Sequence, residues 1–207
     1  EFGGIVYVST DFGIVQFNLA TSQFGDTFFI GDNGAEIKVT QTSVYNGFIY
    51  AATVNGIRRG DITNPNLIDY KQWQLITAGS WSGITAFGTN LYAVNSTGYV
   101  HKYDTGSNIF NGFLALPEPT VDFRSTADYF IMTTQNSVLI YNKQMTLQQK
   151  IDRSQVIEAT SAFTCAIIIN DTIYIGTSGN GLLATSLSSG TNYENIAPMG
   201  PSRNNIF

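Results

Sequence analysis

The chain has 207 residues, 43% hydrophobic and only 12% charged, with 15 acidic against 10 basic side chains and a formal net charge of −5. A nucleic-acid binder needs a positive footprint to displace counterions from phosphate, and Arg58-Arg59 is the only basic doublet, so that partner class is excluded. The longest apolar stretch, about residues 162–169, is far short of the roughly 18 residues that span a bilayer, and Cys165 stands alone, so neither a membrane span nor an internal disulfide is expected.

Taken in chain order, the first element is the apolar and aromatic run of residues 5–10, followed by a turn at Gly13 and a strand over residues 14–17. A second unit opens with an inner strand at residues 43–45 and turns at Asn46-Gly47, a pair that tolerates positive φ at low cost. It continues through residues 48–53, a turn at Gly56, residues 57–59 and an outer strand at residues 73–76. The third unit runs through residues 84–87, the turn Gly88-Thr89-Asn90, residues 91–95, Gly98, residues 99–103 and an outer strand at residues 113–116.

The fourth unit has residues 121–123, a turn at Ala127-Asp128, residues 129–133, residues 138–141 and an outer strand at residues 147–150. Its second turn, Gln135-Asn136-Ser137, lacks glycine, and Asn136 is expected to supply a left-handed conformation there. The fifth unit has residues 163–168, a turn at Asn170-Asp171, residues 173–177, Gly181 and residues 182–184. No segment sustains a helical period over ten residues, so helix content should be low.

With Tyr7, Tyr50, Tyr92, Phe130 and Tyr174 taken as equivalent, the repeat spacings are 43, 42, 38 and 44 residues. A period of roughly 40 to 45 residues made of short strands predicts an all-β fold, a β-propeller of about five four-stranded blades forming one domain over residues 1–207, or a fragment of one. The recurring aromatics then serve blade-to-blade packing. The first repeat starts at its second strand, and the tail, residues 200–207, looks like the lead-in to another inner strand. Pairing of residues 204–207 beside residues 5–10 would close five blades into a ring and remove an exposed edge; the alternative is an open arc of a larger propeller. The first residue is Glu1, not Met, so the chain is expected to be excised from a longer precursor.

The phrases of residues 10–15 (Thr-Asp-Phe-Gly-Ile-Val), residues 24–31 (Phe-Gly-Asp-Thr-Phe-Phe-Ile-Gly) and residues 49–58, from Ile-Tyr-Ala-Ala-Thr to Gly-Ile-Arg, resemble the amino-terminal propeller of the PorZ family. The tail resembles the two-component-regulator propeller repeat, with its Gly-Pro lead-in at Gly200-Pro201 and the turn that runs from Gly176-Thr177 to Gly181-Leu182. The PorZ resemblance implies a component of the type IX secretion system at the cell surface or in the periplasm, acting with the sortase that anchors cargo to anionic lipopolysaccharide. Members carry two propellers and a sorting module, so one propeller implies part of such a protein.

Catalytic, metal and cofactor sites are not expected. His101 is the only histidine and reads as an exposed strand-face residue, no Gly-x-Ser-x-Gly elbow is present, and Cys165 reads as a small core residue. Asp32-Asn33-Gly34 and residues 104–108 read as turns that use their own side chains rather than as calcium loops. The candidate binding residues lie where blade connections and second-to-third-strand turns converge: Phe12, Asn33, Asn55, Trp81 and Arg203. Trp81 is the flat aromatic among amides and hydroxyls that suits a protein or sugar contact, against the alternative of plugging its own loop.

These features favour a non-catalytic binding and assembly module, whose partner is a protein or an adjacent domain of the same precursor, with a sortase-type component implied by resemblance. A glycan is the further ligand class, and an anionic one is opposed by the negative charge unless Arg58, Arg59, Arg124 or Arg203 cluster. An extracytoplasmic ligand-sensing propeller of a hybrid two-component regulator is the alternative, and a propeller polysaccharide lyase or glycosidase is the third.

Overall fold

The computed structural model describes residues 1–156, 160–188 and 192–196, and the chain divides into two compact units, Glu1–Pro117 and Glu118–Phe207. In the first unit, β1 (Ile5–Ser9), β2 (Ile14–Asn18) and β3 (Gln23–Phe28) form blade one. Blade two comprises β4 (Val39–Tyr45), β5 (Phe48–Thr53), β6 (Gly56–Asp61) and β7 (Gln74–Thr77); blade three comprises β8 (Trp81–Phe87), β9 (Asn90–Asn95), β10 (Tyr99–Asp104) and β11 (Ile109–Ala115). In the second unit, β12 (Thr120–Ser125), β13 (Phe130–Thr134), β14 (Ser137–Tyr141) and β15 (Leu147–Asp152) form blade four. Blade five comprises β16 (Phe163–Ile169), β17 (Thr172–Thr177), β18 (Leu182–Ser186) and β19 (Glu194–Ile196).

The fold is an all-β propeller of five blades. Each blade is an antiparallel meander, and helix among the described residues is confined to one-turn 3-10 segments such as Asp32–Gly34 and Tyr70–Gln72. The inner-to-second-strand hairpins of blades two and five take the expected geometry: Asn46 and Gly47 have φ of 47° and 78°, and Asn170 and Asp171 have 48° and 59°. Blade one has three strands among the described residues and begins with the equivalent of a second strand. The expected pairing of residues 204–207 with β1 lies outside the described residues.

The polar residue that ends each second strand fixes the following turn. Thr53 Oγ1 donates to the Gly56 carbonyl at 2.7 Å and accepts the Asn55 N–H at 3.1 Å. Thr10 makes the same pair of contacts with Gly13, and Thr177 donates to Gly181 and accepts from Asn180. Asn95 caps through its side-chain oxygen, accepting from Thr97 and Tyr99. A hydroxyl or amide thus accepts turn N–H groups, and in Thr10 and Thr177 the hydroxyl adds a second donor to a carbonyl that already accepts a backbone N–H.

The same caps correct two sequence expectations in blade four. Asn136 is not left-handed; Thr134 Oγ1 accepts both the Asn136 and Ser137 N–H groups, at 3.2 and 2.9 Å, so the turn closes without positive φ. Counting back from the caps makes Ile131, not Phe130, the counterpart of Tyr50, Tyr92 and Tyr174. Ile131 packs against Ile173 and Ile175 of blade five, whereas Phe130 meets Phe123 edge-on at 5.0 Å.

Alternation along the second strands divides the core between neighbours. Ile49 and Ala51 pack toward Ile14 and Phe28 of blade one, and Tyr50 and Ala52 pack toward Ile84, Leu91 and Tyr103 of blade three. The inner strands of blades two to five each carry a bulge, at Thr40, Ser82, Val121 and Thr164, where the register shifts by one residue. Side chains also join inner strands: Gln41 Oε1 accepts the Ile84 N–H at 3.1 Å, and Ser43 Oγ accepts that of Ala86 at 2.9 Å.

Candidate functional site

Phe12 lies at the tip of the β1–β2 turn, 40% exposed, with its ring 6.3 Å from that of Phe29, which is 39% exposed just after β3. The backbone beneath is held rigidly: the Phe12 N–H reaches Thr10 Oγ1 and the Phe12 carbonyl accepts from Ile37. Beside it, Lys38 Nζ lies 3.0 Å from Asp11 Oδ1, an exposed pair worth little in stability. The result is a small apolar platform on a fixed loop with charges at its edge.

Asn33 is exposed and left-handed, with φ 58°. Its neighbour Asp32 does not serve the expected turn; it accepts from Arg58 Nη2 at 2.6 Å. Arg58 is 7% exposed and its Nε has no partner among the described residues, so Asp32 is the counter-charge of a nearly buried guanidinium. Asn55 is exposed on the β5–β6 turn, with its backbone held by Thr53. No hydrogen bond or ring contact joins Phe12, Asn33 and Asn55, which occupy separate turns; Arg203 lies outside the described residues.

Trp81 does not present a binding surface. It is 6% exposed, its indole N–H donates to the Ala78 carbonyl at 3.1 Å, and its ring packs 4.9 Å from His101 and 5.7 Å from Phe110. The bulge at Ser82 is the cause: it reverses the alternation of β8, so Trp81 shares a face with Ile84 and enters the core. His101 is likewise half-buried rather than exposed, between Trp81 and Tyr99, and burial lowers its pKa while its bond to the Phe110 backbone opposes the shift. Cys165 is partly exposed, not core, with the Arg124 guanidinium in its neighbourhood.

The arginines are held one by one. Arg124 Nε lies 2.9 and 2.8 Å from the two Asp122 oxygens, and Arg58 is held by Asp32. Arg59 anchors a network that sequence reasoning missed. Its Nη1 donates to Tyr103 Oη at 2.9 Å and Asn108 Oδ1 at 3.1 Å, its Nε and Nη2 reach Gln74 Oε1, and its guanidinium lies 4.7 Å from the Phe48 ring centre. These partners are dispersed over three strands and one loop, and nothing in the spacing of their residues marks them as neighbours. Among the described residues, no three His, Cys, Asp or Glu side chains group as metal ligands, and no helix is long and apolar enough to cross a membrane.

These features define a β-propeller that presents exposed aromatic and amide side chains from rigid turns. Residues 2–74 match the family model of the type IX secretion PorZ N-terminal β-propeller domain. Among solved structures, PorZ of Porphyromonas gingivalis, described as an essential bacterial surface component of the type IX secretion system, aligns with a TM-score of 0.72 at 18% identity. That alignment covers 97% of this chain and 26% of PorZ, so the chain spans about a quarter of that relative. The extracellular domain of the putative hybrid two-component system BT3049 of B. thetaiotaomicron aligns with a TM-score of 0.65 at 14% identity, over 99% of this chain and 28% of that one. The computationally designed protein Ika8 aligns at 0.58 and 11% identity, over 92% and 57% of the two chains. No curated protein matches the sequence.

Proposed function

We propose that the chain is a non-catalytic binding and assembly module of a PorZ-like surface protein, acting outside the cytoplasm in type IX secretion and cargo anchoring. The observation that carries this reading is the match of residues 2–74 to the PorZ N-terminal propeller family, the part of the chain that holds the Phe12–Phe29 platform. A protein surface or an adjacent domain of the same precursor is the partner this platform suits. Two exposed aromatics on a fixed loop supply contact area at little cost in conformational entropy. The chain's net charge of −5 disfavours direct capture of a polyanionic glycan, and Arg58, Arg124 and Arg59 are individually held by Asp32, Asp122 and the Tyr103 cluster and do not form a basic patch.

The test is genetic. Phe12 and Phe29 are replaced together by Ser in the parent gene of the source bacterium, and anchored surface cargo is measured against cargo released to the medium. The expected result is normal levels of the variant with reduced anchoring. Normal anchoring, even after deletion of the whole propeller, overturns the proposal; altered transcription with intact anchoring assigns the chain to the sensor class instead.

A further inference from the structure

At the end of blade three opposite the capped turns lies a cavity of about 460 Å³ that is open to solvent. Its walls are the Thr89-Asn90 turn, the end of β10 from Lys102 to Thr105, and β11 around Asn111 and Phe113. Several polar groups here are already committed. Tyr45 Oη donates to the Thr89 carbonyl at 2.9 Å, Asp104 accepts from the Gly106 N–H and the Ser107 hydroxyl, and Tyr103 Oη belongs to the Arg59 network. The Asn90 side chain is bonded to Tyr92.

Four polar side chains and one ring remain, those of Thr89, Lys102, Thr105, Asn111 and Phe113. The Lys102 ammonium, the Asn111 amide and the Thr105 hydroxyl have no hydrogen-bond or ion-pair partner among the described residues. Lys102 and Asn111 face each other directly in the β10–β11 register, so both lie on one side of the sheet. Phe113, two residues beyond Asn111 on that side, is 42% exposed and backed by the buried Tyr92 ring at 5.4 Å. Two residues of strand set the Cα atoms of Asn111 and Phe113 about 7 Å apart. A free ammonium beside an amide donor suits a carboxylate, and an aromatic one strand-step further suits an apolar body attached to it.

We propose that this cavity binds a small organic carboxylate carrying an apolar group. The carboxylate pairs with Lys102 and accepts hydrogen bonds from Asn111 and Thr105, and the apolar group lies on Phe113. The carboxy terminus of a peptide ending in an apolar residue and a free arylalkyl acid share this chemistry, and both fit the volume.

The experiment is an NMR titration of the isotope-labelled chain with 3-phenylpropionate, N-acetyl-phenylalanine and the uncharged amide of the latter. Concentrations run to about 10 mM, because one charged contact and one ring support affinity on the order of millimolar. The acids are expected to shift the amides of Lys102, Asn111 and Phe113 in a saturable way and to bind about tenfold tighter than the amide. Tighter binding of N-acetyl-phenylalanine identifies the peptide terminus as the source, and tighter binding of 3-phenylpropionate identifies the free acid. Lys102→Gln should reduce affinity for both acids by about tenfold, and Asn111→Asp, at an exposed position, should abolish it with the melting temperature unchanged. The proposal is overturned if the amide binds as well as the acid, if the shifts map elsewhere, or if no saturable shift occurs. A galacturonate that binds more tightly than either aromatic acid and ignores Phe113→Ser also overturns it.

Discussion

Arg59 of blade two holds Tyr103 of blade three, its Nη1 donating to the phenol oxygen at 2.9 Å while the same nitrogen reaches Asn108 at 3.1 Å. The planar fork serves Gln74 with its other N–H groups and lies over Phe48, so one side chain joins two blades and an outer strand. Arg59→Met should lower unfolding free energy by about 1.5–3 kcal/mol in urea titrations, the range for hydrogen bonds to a charged group. Arg59→Lys should not restore it, because a point ammonium cannot bond in several directions within one plane. Full stability in the Lys variant would show that charge alone matters here.

Tyr103 gives the alkaline counterpart. Burial, with the hydrogen bond and proximity of Tyr50, pushes its pKa up to about 12, and Arg59 only partly offsets this. A phenol with a raised folded pKa stabilises fully below the unfolded value of about 10, and that contribution is lost as pH rises toward about 12. Thermal melts across this window should therefore show a falling midpoint that flattens in Tyr103→Phe. An equal fall in both proteins would assign the alkaline loss to other groups.

The caps on the second-to-third-strand turns are a repeated stabilising device. Thr53 is fully buried, and Thr53→Val keeps its shape but strands the Asn55 N–H and the Gly56 carbonyl. The expected cost is about 1–3 kcal/mol by denaturant titration, that of leaving a buried polar group unsatisfied. Thr53→Ser should recover most of it. Gly56 makes the same turn sensitive from the other side: its φ is 145°, and an added Cβ would lie 2.5 Å from the Thr77 carbonyl oxygen, so Gly56→Ala should destabilise as well.

Strand positions were legible because apolar runs and Asn-Gly-type turns alternate on a short period; β5, for example, spans Phe48–Thr53 as its residues predict. What was hidden depended on contacts between distant residues or on one-residue shifts in register. The repeat of aromatics placed Phe130 with Tyr50, whereas the capping hydroxyl of Thr134 places Ile131 there. Trp81 was expected on the face where the blade connections converge, yet a single bulge at Ser82 sends the indole inward. Phe12, Asn33 and Asn55 are exposed on separate turns, but the partner of Phe12 is Phe29, and nothing in their separation in sequence marks that pairing. The cavity at Lys102 and Phe113 was equally invisible, since its walls come from four segments whose residues carry no shared motif.

His101 provides an acid-side test of the burial that displaced Trp81 from the surface. The imidazole packs 4.9 Å from Trp81 and 5.3 Å from Tyr99, its Nδ1 is buried without a partner, and burial lowers its pKa. The folded chain thus resists taking up a proton that the unfolded chain binds below about pH 6.5. The stabilisation is complete above that value and declines as pH falls toward the depressed folded pKa. Melting temperatures measured between about pH 7.5 and 5 should drop in the native sequence and drop less in His101→Gln, which cannot titrate but keeps an amide donor for the Phe110 backbone. Comparing the two slopes removes the contribution of the carboxylates, which both proteins share. Parallel slopes would place His101 in contact with solvent and reopen the Trp81 face as a surface for partners.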